Sequence, residues 1–236
     1  MPQGPHQGAL PAYLRIAEHL TIEIGAGRLA AGDTLPPERR LAARYGVSMM
    51  TLRKALGVVT ERGLIERRQG SGNYVLGGRE NVGTYALFRL EAVPGGGGLP
   101  TAELLSIDAM TKPDGLADIG AAMEGWRIRR VRALDGRPVA VEEIWLDGRY
   151  DGLRADHLSE SLYKTYADRL GLTITRAEDR VGLGALPGWA PETLRLSPGA
   201  TMGLVERRSF DQYGKPAEAS CSWFAPDRAR YYARVP

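Results

Sequence analysis

Cysteine is nearly missing from this chain, with Cys221 the single one in 236 residues, so no internal disulfide and no multi-cysteine zinc site can form. Histidine is scarce too; His6, His19 and His157 are too few for a histidine-based metal centre. No stretch approaches the ~18 consecutive apolar residues that suggest a membrane helix. The opening MPQGPHQGAL lacks the basic and apolar regions of a secretory signal. These absences lead to the expectation of a cytoplasmic protein with no membrane partner, no metal and no cofactor.

What is present is an ordinary globular composition, 43% hydrophobic and 25% charged in 25.7 kDa, enough for one large domain or two modest ones. Its charge is unevenly placed. Residues 1–75 carry ten Arg/Lys against six Asp/Glu, while 76–236 carry 21 against 22. Within 37–75 the count is eight to three. A basic N-terminal module on a near-neutral remainder suggests a nucleic-acid reader joined to something else, although charge alone also allows a plain solvated face.

Tyr13, Ile16, Ala17, Leu20 and Ile24 recur at helical spacing, with a stop near Gly25 and Gly27. After the turn at Gly32-Asp33, Pro36-Pro37-Glu38 opens a second, short helix that closes at Gly46. Ser48 suits the N-cap of a third, running to Arg62, with Gly63 past its end. Two extended runs, 64–68 and 73–76, flank Gln69-Gly70-Ser71-Gly72 and predict a hairpin. Three helices and a basic hairpin make a winged helix-turn-helix over 10–76, followed by a polar linker at 77–81. Residues 82–236 read as an α+β domain. Strands are expected at 84–91, 101–109, 126–134, 138–146, 173–183, 202–210 and 217–224, and helices at 115–123, 159–170 and 191–196. Tight turns at Asp135-Gly136 and Tyr213-Gly214 favour an antiparallel sheet with flanking helices. The glycine run after Pro94 is expected to be a loop.

The motif from Leu35 to Leu56, LPPERRLAARYGVSMMTLRKAL, and that from Gly63 to Val75, GLIERRQGSGNYV, resemble the GntR family of bacterial transcription regulators. The resemblance implies that the third helix enters the DNA major groove and that the wing approaches the minor groove. It assigns DNA contact to Arg39, Ser48, Met50, Thr51, Arg53, Gln69 and Gly70. Elementary chemistry points the same way. A helix N-terminus offers free N–H groups, Ser48 and Thr51 add hydroxyls, and the Arg53 guanidinium can grip phosphate or guanine with two hydrogen bonds. Gly70 lets the backbone approach closely. Alternatives stay open: Ser48 caps its helix in any case, Arg39 can pair with Glu38, and Arg53 can be merely solvated. The family often has arginine directly after the helix-opening Ser or Thr, where this chain has Met49, so the family's common operator core is not assumed.

The remaining chain, strongest over 126–232, resembles the UTRA domain of HutC-type regulators, which has a chorismate-lyase-like sheet. The matching residues are Arg130-x-Arg132, Asp135-Gly136-Arg137-Pro138, Glu142, Ser161-Leu162-Tyr163, Tyr213-Gly214-Lys215-Pro216-Ala217-Glu218 and Trp223-Phe224. The resemblance implies a small anionic or polar metabolite as effector. Arg130 and Arg132 would hold an anionic group with help from Ser161 and Tyr163, Glu142 and Glu218 would accept from hydroxyls or an amine, and Phe224 would form a wall. The two arginines share a strand face, where like charges need an anion or a carboxylate beside them; an internal Arg–Glu network is the competing reading. A strict two-residue turn at Asp135-Gly136 puts Glu142 on the opposite face from Arg130, whereas a bulge brings it alongside.

A winged-helix protein–protein module would not need the Arg39, Ser48, Thr51 and Arg53 set, and an architectural DNA binder would not need the Arg130 and Arg132 pair, which leaves two leading functions. One is a ligand-responsive transcription regulator, a repressor acting as a homodimer on a palindromic double-stranded operator. The other is a chorismate-lyase-like enzyme fused to a DNA-binding domain, but no nucleophile–base arrangement supports it. The expectation is therefore a regulator and not an enzyme.

Overall fold

A computed structural model describes residues 11–25, 29–76, 89–94, 100–114, 116, 119–158 and 162–233. They divide into two compact units that meet in sequence at Arg89 and Leu90. The expected linker at 77–81, the glycines following Pro94 and Ser161 lie outside the described residues.

The first unit contains α1 (Ala12–Gly25), α2 (Glu38–Tyr45) and α3 (Met49–Glu61), then the hairpin β1 (Ile65–Arg68) and β2 (Gly72–Val75). The apolar stripe of α1, Ile16, Ala17, Leu20 and Ile24, is buried together with Leu41 and Ala42 of α2 and with Leu52, Ala55, Leu56 and Val59 of α3. Gly46 ends α2 in the left-handed conformation, φ 61°, and its N–H closes on the last carbonyls of the helix. The Ser48 hydroxyl accepts from the Thr51 N–H at 3.2 Å, a cap worth about 1 kcal/mol. These two stops set the sharp turn between α2 and α3. The hairpin pairs Ile65 with Val75 and Arg68 with Gly72, and Gly70 at its tip has φ 74°.

The second unit is built on a six-stranded antiparallel sheet in the order β4-β5-β6-β9-β8-β7. The strands are β4 (Pro100–Thr111), β5 (Glu124–Leu134), β6 (Arg137–Asp147), β7 (Arg176–Ala185), β8 (Thr201–Phe210) and β9 (Pro216–Phe224). A separate two-stranded ribbon joins β3 (Leu90–Ala92) to β10 (Ala229–Tyr231). One helix, α4 (Leu162–Leu170), buries Leu162, Thr165 and Tyr166.

The β5–β6 turn decides the site. Asp135 and Gly136 both have positive φ, 49° and 77°, the type I′ conformation of a two-residue hairpin. The ladder starts at Leu134↔Arg137 and Ala133↔Pro138, then shifts so that Arg132 meets Ala140 and Arg130 meets Glu142. The tight turn and the bulge coexist, and the extra residue moves Glu142 onto the face of Arg130.

Two expected helices are corrected. The described residues of 115–123 form no α-helix. Gly120 sits at φ 145°, and a Cβ there would lie 2.3 Å from Asp147 Oδ2. The Gly120 carbonyl accepts from Lys112 Nζ, which also donates to Asp147 at 2.8 Å. This buried ion pair overrides the helical propensity of the segment. At 191–196 there is a single 3-10 turn, Glu192–Leu194, which Arg195 ends at φ 51°. The expected strand at 84–91 overlaps the described residues only at its end, where β3 begins, and the expected helix at 159–170 is described from Leu162 as α4.

Candidate DNA-reading surface and effector face

On the first unit, α3 presents its opening turn to solvent. Met50 is 82% exposed, Ser48 and Arg53 are exposed and Thr51 is half-buried. The Ser48 and Thr51 hydroxyls lie 2.9 Å apart. Arg39 on α2, and Gln69 and Gly70 at the hairpin tip, are exposed as well. Met49 instead packs against the core, so this position offers no side chain for a base edge.

The pairing of the arginines is not the one weighed in sequence. Glu38, at the start of α2, accepts from Arg53 Nε at 2.8 Å, and its other oxygen lies 3.6 Å from Arg67 Nη2 in the wing. One carboxylate thus ties α2, α3 and β1 together. Bonding through Nε leaves the terminal nitrogens of Arg53 for a ligand. Glu38→Gln is expected to raise affinity for random duplex several-fold and to shrink the preference for operator, because two guanidiniums lose the carboxylate that restrains them. Fluorescence anisotropy on both duplexes at one salt concentration measures this; an unchanged ratio would show that Glu38 has no hold on the arginines when DNA is present.

On the second unit, the face of the sheet bearing Arg130 is dense with charge. Arg130 Nη2 donates to Glu142 Oε2 at 2.6 Å, Arg132 Nε lies 3.9 Å from Glu142 Oε1, and all three residues are buried. Ser222, opposite Glu142 on β9, donates to the same carboxylate at 3.4 Å. Arg130 keeps two buried N–H groups, Nε and Nη1, without a hydrogen-bond partner. The ring of Phe224 lies over Gly203, where a Cβ would be 2.2 Å from its edge, in the same row as Arg132 and Ala140.

Further along this face, Glu218 accepts from the Tyr163 and Ser209 hydroxyls at 3.0 Å each. Tyr163 is therefore fixed by α4 over the far end of β9. Ser222 and Glu218 are four residues apart on β9, about 13 Å along a strand, so the Glu142 and Glu218 clusters stand apart on this face. Between them lies Arg207 on β8, held by Asp179 of β7 in a two-bond pair at 2.6 and 2.7 Å. Arg207 and Asp179 did not emerge from the sequence. The only signal was an adjacent pair, Arg207-Arg208, one of which had to face inward.

Environment separates the two glutamates. Burial raises the Glu142 carboxyl, but the Arg130 and Arg132 guanidiniums outweigh it and the net direction is down. For Glu218 burial prevails over the hydrogen bonds from Tyr163 and Ser209, and the net direction is up. Burial and the Glu218 charge also push up the Tyr163 phenol, which remains a hydrogen-bond donor. Among the described residues, three guanidiniums, of Arg130, Arg132 and Arg207, thus face three carboxyls, of Glu142, Glu218 and Asp179.

A winged helix-turn-helix and a sheet with a buried, incompletely satisfied cationic cluster define a DNA-binding regulator with a small-molecule domain. The comparisons agree. Residues 12–75 match the model of the gntR family of bacterial regulatory proteins, and residues 96–230 match the UTRA domain. The chain is 49% identical over 229 residues to the HTH-type transcriptional regulator SmoD of Agrobacterium fabrum, covering 97% of each. It is 30% identical to the mannosyl-D-glycerate transport/metabolism system repressor MngR of Escherichia coli, over 74% of this chain and 75% of that one. The crystal structure of the possible transcriptional regulator YydK from Bacillus subtilis superposes with a TM-score of 0.55 at 21% identity, covering 96% of this chain and all of the other. The chain belongs to the GntR family and carries a UTRA domain of the HutC type. It is a ligand-responsive, DNA-binding transcription regulator and not an enzyme. No described helix is long and apolar enough to cross a membrane.

Proposed function

We propose that this regulator is a homodimeric repressor on a palindromic operator, working on the chromosome in the cytoplasm, and that its effector is a small anionic metabolite also bearing hydroxyl or amine groups. The proposed domains are 10–76 for DNA and 82–236 for effector and dimerisation. Arg39, Ser48, Met50, Thr51, Arg53, Gln69 and Gly70 form the DNA surface. Arg130, Arg132, Glu142, Ser161, Tyr163, Glu218 and Phe224 form the effector site, to which Arg207 is added for its position between the two glutamate clusters.

The observation carrying the effector reading is Arg130. A buried guanidinium with two idle N–H groups is costly in a folded protein, and Glu142 satisfies only one of its terminal nitrogens. An anion seated there accepts from the idle donors, and Glu142 and Glu218 remain to accept from its neutral groups. The experiment is a thermal-shift screen of carboxylate, phosphate and sulfonate metabolites beside their neutral analogues. A ligand at ~100 times its Kd adds ~2.7 kcal/mol; a shift with neutral compounds alone would overturn the anion reading.

Operator binding is expected to depend steeply on salt. If two copies each place α3 and a wing on the duplex, six or more phosphate contacts lower affinity by about 10³-fold or more between ~50 and ~200 mM salt. A salt titration by anisotropy gives the slope, and a flat response would remove the DNA surface proposed here.

A further inference from the structure

The cations of the first unit divide by their partners. Eight Arg and Lys side chains stand in 37–75. Arg53 and Arg67 share Glu38, and Arg68 pairs with Glu66. Lys54 lies over the ring of Tyr13, 4.0 Å from its centroid, and Arg62 donates to the Thr21 hydroxyl at 3.1 Å. The other three, Arg39, Arg40 and Arg44, form no ion pair among the described residues, and all three belong to α2.

Helical spacing separates these three. Arg39 stands about 100° round the helix from Arg40, whereas Arg40 and Arg44, four residues apart, lie one above the other. With Pro36 and Leu41 they line a groove of about 480 Å³. Leu41 is buried there, and both arginines are exposed. Like charges at this spacing repel and weaken the helix that carries them. No residue three or four positions from either arginine is acidic; they are Pro36, Pro37, Leu41, Ala43, Val47 and Ser48. Glu38, the single acid of α2, is turned to Arg53 and Arg67. Arg44 has the ring of Tyr45 beside it, 5.8 Å from the centroid, a contact that leaves its N–H groups unused. Arg40 lies in the first turn of α2, where the helix dipole adds to the positive potential. Two guanidinium forks over an apolar floor suit the oxygens of a phosphate. In a helix-turn-helix the second helix enters the major groove while the first crosses the DNA backbone. Here α2 is that first helix, so the phosphates within its reach are those of the duplex.

We infer that the Arg40–Arg44 groove is a second phosphate site, which holds the DNA backbone where α2 crosses it, apart from the bases that α3 reads. The inference rests on the DNA surface proposed above and extends it round α2 from Arg39. The groove touches no base, so it adds affinity for any duplex and no preference among sequences.

The test is fluorescence anisotropy on operator and on random-sequence duplex between ~50 and ~200 mM salt. The variants are Arg40→Gln, Arg44→Gln and the two together, since glutamine removes the charge and keeps the helix. Each phosphate contact removed is expected to reduce the slope of log affinity against log salt by about 0.9 for every copy of the chain bound. Both duplexes are expected to lose affinity by the same factor, unlike the loss from Arg53→Ala. Arg40→Lys with Arg44→Lys is expected to recover most of the slope, because lysine holds phosphate as a point charge. Arg154→Gln, at an exposed arginine of the second unit, is expected to leave the slope unchanged, as a charge beyond the screening length does. The glutamine variants are expected to melt no lower than wild type, because a like-charge pair is removed. A double glutamine variant with the wild-type slope overturns the groove as a DNA site. If inorganic pyrophosphate then raises the melting temperature of wild type but not of that variant, the groove holds a free phosphate, and DNA is overturned as its occupant. A loss confined to operator makes the two arginines base readers and overturns the backbone role. A wild type with a flat salt response overturns the DNA surface as a whole.

Discussion

Arg130→Ala is expected to lower the stability of the effector unit by about 3 kcal/mol, the lower end of the ~3–5 kcal/mol cost of breaking a buried ion pair. The loss is large because Glu142 is left buried with Arg132 alone, 3.9 Å away, and because Ser222 offers only a long hydrogen bond at 3.4 Å. Calorimetry should show a fall in Tm of about 6–12 °C for a unit of this size. The pH dependence has a definite sign. Glu142 is depressed in the folded state, so the pair contributes fully above the ordinary carboxylate range and loses its contribution as pH falls through the folded value. The gap between wild type and variant should therefore narrow in acid. Folding and binding are separated by Arg130→Met with Glu142→Gln, which removes both charges of the short pair together and is expected to cost less stability than Arg130→Ala alone, although Arg132 loses its contact with the carboxylate. That variant should bind operator normally and ignore the effector, because a ligand shifts an equilibrium only by the difference in its affinity for the two states. A folded variant of this kind with an intact effector response would show that the anion sits elsewhere.

Sequence and structure agree best where local chemistry decides. The three helices, the Ser48 cap, the Gly46 and Gly63 stops and the basic hairpin depend on turn residues and on a 3.6-residue period, and their positions were legible. The strands of the large sheet were legible for the same reason, because Asp135-Gly136 and Tyr213-Gly214 announce where they reverse. The segment 115–123 was misread because its alanines, leucine and methionine favour a helix, while a buried contact between Lys112 and Asp147, 35 positions apart, decides the outcome. Side-chain pairing across elements was the least legible. Nothing local joins Glu38 to Arg53, fifteen positions on, or Asp179 to Arg207. The relation of Arg130 to Glu142 hung on one inserted residue, and in a strand one residue decides the face.

That pairing has a consequence for control. Arg130, Arg132 and Glu142 lie on adjacent central strands, and Tyr163 connects the same face to α4 through Glu218. An anion that takes up the idle donors of Arg130 competes with Glu142 for the same guanidinium. An effector seated at Arg130, as proposed, would therefore alter an ion pair that also contributes to the stability of the sheet, and this is the kind of differential contact that effector control requires.

Arg53→Ala is expected to weaken operator binding by ~1–3 kcal/mol, the range for a guanidinium that reads a base edge with two hydrogen bonds. Met50→Ala should cost far less: although 82% exposed on the same turn of α3, the side chain offers only an apolar surface. Met49→Ala should lower the melting temperature of the DNA-binding unit more than its operator affinity, because Met49 packs inward against the helical core. The orientation of Arg53 supports this ranking. Glu38 grips Nε at 2.8 Å, so the two terminal nitrogens are presented outward with the plane of the guanidinium already fixed, and less side-chain entropy is lost on binding. Arg53→Lys then distinguishes base reading from phosphate contact. Lysine keeps the charge but not the planar fork, so a base contact predicts loss of operator preference with the salt slope preserved. A phosphate contact predicts little change in either. Equal losses for Arg53→Ala and Met50→Ala on operator DNA would show that α3 does not dock through its first turns.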